Sequence, residues 1–139
     1  MYGALIFTSA LLAATAYFAM GGLPLLILKH DEPMDARFVR SFFKVYYRMA
    51  FWASIGACIS YGIWGRYELA AAALAFTGLT VLLRKYLMDA MLRLGRQIEL
   101  DAQGAIRNFR RVHALALLIN VLLLPLILWS LYRLTSQWT

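Results

Sequence analysis

The sequence predicts an all-α polytopic membrane protein, four transmembrane helices in an up-down-up-down antiparallel bundle. Three observations carry that expectation. Hydrophobic residues make up 63% of the 139 residues and mean hydropathy is +0.66, against roughly 45–50% apolar residues in soluble domains. A chain of this length forms one compact domain, whose interior is too small to hide so much apolar surface, so lipid must face it. Four long apolar stretches alternate with short polar ones. The basic residues are also asymmetric: 12 of the 14 Lys and Arg fall between the first and second or the third and fourth stretches, leaving only Arg66 and Arg133 elsewhere. By the positive-inside rule both termini are then periplasmic and the membrane is the inner (cytoplasmic) one. The net charge of +7 follows from this bias and from anionic lipid headgroups, and nucleic acid is not expected as a partner.

Residues 1–28, with a helix expected over about 2–28, hold no charged side chain and reach roughly 42 Å as a helix, enough for a hydrocarbon core of about 30 Å. The Ala-Ala-Thr-Ala at 13–16 faintly resembles a cleavage site, but a basic leading segment is missing and the apolar run continues beyond it, so a retained helix is expected. Gly21, Gly22 and Pro24 predict a kink near its end. A turn over 29–33 precedes a helix over about 35–64. Its first third mixes Arg37, Arg40, Lys44 and Arg48 with Phe38, Phe42, Phe43, Tyr46 and Tyr47, a pattern for headgroup level with snorkelling arginines. The pairs Ala53/Ala57 and Gly56/Ser60 are spaced for close helix approach. Cys58 among them is expected to be a small buried hydrophobe, and a lone cysteine forms no internal disulfide.

The short 65–68 connection predicts a hairpin into a third helix over about 68–94. There Lys85, Asp89 and Arg93 form an i, i+4 ladder, and Gly95 and Gly104 are expected to break the chain before a fourth helix over about 106–133. All four helices belong to a single domain.

The stretch 108–129 carries the polar residues of most interest. His113 and Asn120 interrupt an apolar run and, seven residues apart, share a helix face with Phe109, Ala116 and Leu124. Polar groups at such depth are costly and mark functional candidates. The candidate set is His113, Asn120, Tyr47, Arg48, Asp89, Arg110 and His30, all but Asn120 at the basic end. His113 is expected to face the bundle and bond Tyr47, or else Asp89. Asn120 is expected to reach backbone carbonyls near Ala53, Gly56 and Ala57. Such an end can hold an anionic headgroup, a quinone or the propionates of a haem, and the imidazole can ligate iron or relay protons. A nucleophile elbow, a phosphate loop, a His-x-x-x-His and a Cys/His metal cluster are all absent from the sequence.

Phe109, Arg110, Arg111, Val112 and His113, followed by Asn120, resemble the closing helix of a four-helix integral membrane family. It comprises bacterial domains of unknown function and their eukaryotic transmembrane-protein relatives. A Phe, an Arg, a Leu-His pair and a downstream Asn recur there at this spacing; this chain has Val112 in place of the Leu, and Ala116 where a small hydroxyl is common. Residues 21–28 and 38–47 are similar to that family's Pro-containing end of helix one and Phe/Tyr-rich start of helix two. The resemblance implies four-helix topology and no settled activity. A fainter similarity to four-helix protoporphyrinogen oxidases and copper-resistance membrane proteins implies haem or metal held by histidine, though helix one here has no histidine in its apolar segment. The functional expectation is a binding or accessory module for lipid, a lipophilic small molecule, or a larger membrane complex or homo-oligomer. The alternative is a small membrane oxidoreductase binding haem or quinone near His113.

Overall fold

The computed structural model describes residues 1–27, 33–100 and 103–136. They form four helices: α1 (Tyr2–Ile27), α2 (Pro33–Ile63), α3 (Tyr67–Glu99) and α4 (Gln103–Thr135). Three of them, α1, α3 and α4, are long and apolar enough to cross a membrane. The protein is an all-helical membrane-type bundle whose outside carries large exposed apolar residues such as Ile6, Trp52, Leu74, Leu122 and Leu128. In water that much exposed apolar surface would drive association; in lipid it is matched by the solvent.

Each helix packs on two neighbours, in the cycle α1–α2–α3–α4–α1, and the diagonal pairs do not touch through their backbones. Gly3 of α1 approaches Ser60 and Gly21 approaches Phe42 on α2. Ser54 and Cys58 of α2 bond Thr77 and Ala70 of α3, while Arg37 bonds Glu99. Arg110 of α4 reaches the Leu26 carbonyl of α1. The ends rich in Lys and Arg therefore lie together. At the other end Arg66 sits over the Trp64 ring and Arg133 over Trp129, each 5.6 Å from the centroid, a pairing suited to a membrane–water boundary.

Two of the sequence expectations are corrected here. Gly95 does not end α3, which runs on to Glu99, and Gly104 lies inside α4. A mid-helix glycine costs only about 1 kcal/mol relative to alanine. At Gly95 an added Cβ would make only ordinary contacts with Ala36 and Arg40 of α2, and packing of Met91 and Ile98 on either side holds the helix. The Lys85–Asp89–Arg93 ladder does not form, because among the described residues the one ion pair is Arg37–Glu99 at 2.9 Å. Cys58 is half-buried, its thiol donating to the Ala70 carbonyl at 3.4 Å.

Gly21, Gly22 and Pro24 lie inside a continuous α1. A Cβ on Gly22 would collide with the Leu117 side chain of α4, and one on Gly56 with the Phe7 ring. These glycines set how closely α1 approaches α4 and α2, as small residues do in membrane bundles. Between α2 and α3, Gly65 takes φ +76°. The Gly65 amide donates to the Gly62 carbonyl at 3.1 Å and the Arg66 amide to the Tyr61 carbonyl at 2.9 Å, the paired bonds of a left-handed helix stop. Gly65→Ala is therefore expected to cost about 1–2 kcal/mol, the penalty for a Cβ in left-handed backbone. Gly62→Ala, helical with open space around an added Cβ, is expected to be neutral or stabilising. Unfolding midpoints of the two variants in mixed micelles check this pair.

Candidate functional site

The α4 face marked out by the sequence turns inward. Phe109, His113, Ala116 and Asn120 are all buried, and Leu124 is half-buried. Asn120 donates from Nδ2 to the Ala116 carbonyl of its own helix at 2.7 Å and accepts from the Tyr46 hydroxyl at 2.6 Å. Tyr46 also meets the Thr15 hydroxyl at 3.4 Å, and Thr15 donates to the Leu11 carbonyl at 2.8 Å. The Tyr46–Asn120 bond thus links α2 and α4 across the bundle centre, and the Thr15 hydroxyl of α1 lies against it with both hydroxyl hydrogens already engaged. The expected carbonyls near Ala53, Gly56 and Ala57 are not its partners: Tyr46, about two helical turns closer to the basic end, takes that place. Aromatic packing fixes this choice, since Phe18 stacks on Tyr46 with centroids 4.0 Å apart and stands edge-on to Phe43 at 4.7 Å.

His113 is fully enclosed, with the Phe43 ring edge-on at 5.1 Å. Neither expected acceptor serves it. The Tyr47 hydroxyl is buried without a hydrogen bond, with the Asn120 amide the polar group beside it. Asp89 is exposed, because Leu87 and Met91 on either side of it face the core and a residue two places away points outward. Arg48 and Arg110 are also exposed, Arg110 bonding the Leu26 carbonyl at 3.3 Å, where it satisfies a carbonyl in the last turn of α1. His30 lies outside the described residues. The structure thus gathers His113, Asn120 and Tyr47 in the interior and leaves Arg48, Asp89 and Arg110 on the outside. A porphyrin at His113 would require Phe43 to give way, and among the described residues no group of three metal-ligating side chains gathers.

Sequence reasoning missed a cleft. Along α3 the alanines of the Glu68–Ala75 stretch are too short to fill the seam with α4, leaving a space of about 330 Å³. It runs from exposed Ala72, Ala75 and Trp129 at the surface to Leu11, Ala57 and Tyr61 inside. At its floor the Thr8 and Tyr61 hydroxyls bond each other at 2.8 Å. The one available signal was the alanine run itself, which packs any neighbour loosely.

No protein-family model, curated protein or solved structure matches the chain.

Tyr46→Phe leaves the Asn120 carbonyl oxygen buried without its partner and is expected to cost about 1–2 kcal/mol. Asn120→Leu removes the same bond from the other side. In a double-mutant cycle read by unfolding in mixed micelles, the two are expected to couple by about 1 kcal/mol; additivity would show that the bond contributes nothing.

Proposed function

We propose that this protein is an integral inner-membrane module that holds a lipophilic molecule in the cleft between α3 and α4, as a binding or accessory component of a membrane assembly. All four helices span, in up-down-up-down order, with both termini periplasmic and the basic end at the cytoplasmic face among anionic headgroups. The cleft is the observation that carries the reading. Its walls are mostly alanine and leucine with Phe76, Ile127 and Trp129, the polar members being Thr8, Tyr61 and Ser130, and its mouth opens where lipid chains run. Of the two hydroxyl hydrogens at the floor, one lies in the Thr8–Tyr61 bond, which leaves the other for an oxygen acceptor on the occupant. The fitting ligand is an apolar chain or ring bearing one such oxygen.

The spanning of α2 is supported by its neighbours and by its composition. It packs along both α1 and α3, and its charges stop at Arg48, after which residues 49–63 are uncharged. Its exposed Arg48 lies where the side chain can extend toward headgroups. The resemblance of 109–120 to a closing helix of four-helix membrane proteins agrees with this topology.

Ala73→Trp fills the cleft and is expected to abolish retention of co-purifying lipophilic molecules in native mass spectra. Tyr61→Phe is expected to weaken oxygen-bearing occupants selectively. Unchanged spectra for both variants would sink the reading. For orientation, a cysteine at position 103 is expected to be labelled only from the cytoplasmic side, and a reporter at Thr139 to report the periplasm. Protein purified in mild detergent is expected to be colourless; a Soret band lost in His113→Ala would establish haem instead.

A further inference from the structure

The outer face of α2 carries two grooves that the α3–α4 cleft does not use. One, of about 490 Å³, lies between α2 and α3 at the basic end and is lined by Arg37, Arg40, Lys44 and Arg84 beside Met88 and Leu92. One carboxylate, Asp89, lines it with them. Arg37 is paired with Glu99 outside the lining, whereas Arg40, Lys44 and Arg84 have no protein carboxylate within ion-pair distance among the described residues. The second groove, of about 660 Å³, lies between α1 and α2 with walls of Ala10, Ala13, Phe38, Val45 and Met49. Exposed Ser41 lines both, so a cationic groove and an apolar one meet at a single residue.

Cations joined to an apolar channel complement one chemical class, an anionic phospholipid. Four cations against Asp89 and Glu99 leave an excess of two positive charges. That excess suits a headgroup with two phosphates and repels the ammonium of a zwitterionic one. Guanidinium forks suit phosphate oxygens, and the Lys44 ammonium adds a point charge. We infer that this face of α2 is a specific site for a two-phosphate phospholipid, its phosphates at Arg40, Lys44 and Arg84 and one acyl chain in the α1–α2 groove. The inference rests on the membrane reading proposed above but not on what fills the α3–α4 cleft. A second basic groove, where Arg107, Arg110 and Arg111 line the α1–α4 side, is a built-in control, because it adjoins none of the apolar grooves and Arg110 already bonds a carbonyl.

The test uses the full chain in nanodiscs of phosphatidylcholine with a minor fraction of cardiolipin, and native mass spectrometry to count retained lipid. R40Q/K44Q/R84Q is expected to retain about tenfold less cardiolipin than wild type, and R107Q/R110Q/R111Q to change by less than about twofold. Val45→Trp, which blocks the chain groove without touching charge, is expected to lose cardiolipin as well. All substituted positions are exposed or half-exposed, and helicity by circular dichroism verifies that each variant folds. Equal losses in the two triple variants would reduce the site to general surface attraction and overturn it. So would displacement of cardiolipin by millimolar orthophosphate with Val45→Trp inert, which would mark a free-phosphate site. Ala73→Trp is expected to leave cardiolipin retention intact; failure of the chain to enter nanodiscs at all would reject the membrane reading itself.

Discussion

The bond from the Tyr46 hydroxyl to the Asn120 carbonyl oxygen, 2.6 Å long, is the constraint that ties this bundle together. Each helix touches only its two neighbours through the backbone, so the α2–α4 diagonal is joined by side chains alone. In hydrocarbon, apolar side chains give little preference for one rotation of a helix over another, since lipid is as apolar as leucine. A buried amide is different: it is expensive unless satisfied, and only one rotation satisfies it. Asn120 fixes α4 against Tyr46, Tyr46 fixes α2, and Thr15 of α1 packs against the Tyr46 hydroxyl. His113, Phe109 and Ala116 follow inward because they share the Asn120 face.

α3 stands outside this network. It is held to α2 by Thr77 with Ser54 and by the Cys58 thiol on the Ala70 carbonyl, while its seam with α4 is the loosest of the four. The cleft opens there for that reason. The polar contacts at the bundle centre lie on α1, α2 and α4, and the alanine run of α3 leaves room. A ligand that fills the seam adds contacts that the helices lack by themselves.

Much of this was legible in the sequence. Four long stretches map onto four helices, three of them apolar enough to cross a membrane, and the seven-residue spacing of His113 and Asn120 identifies an inward face. The partners were not legible. Tyr46 and Tyr47 are adjacent and both end up buried, and only the packing of Phe18 against Phe43 decides which hydroxyl reaches Asn120. Asp89 resembled a partner on a linear map, yet Leu87 and Met91 claim the core and turn it outward. Gly95 reads as a breaker in isolation but sits inside a continuous helix once Met91 and Ile98 are packed on either side of it. In each case local sequence fixes what a residue is able to do, and the neighbouring helix fixes which option it takes.

The left-handed stop at Gly65 bears on which changes in length the chain tolerates. Both amides of that turn are engaged, so it holds no spare residue to absorb an insertion. One added residue would rotate α3 by about 100° relative to α2. Thr77 would leave Ser54, and the alanines would swing out of the cleft together. Insertions and deletions are thus poorly tolerated at this three-residue connection, although loops are where chains ordinarily accept them. The three residues of this turn thus set the register in which α3 can make its polar bonds to α2.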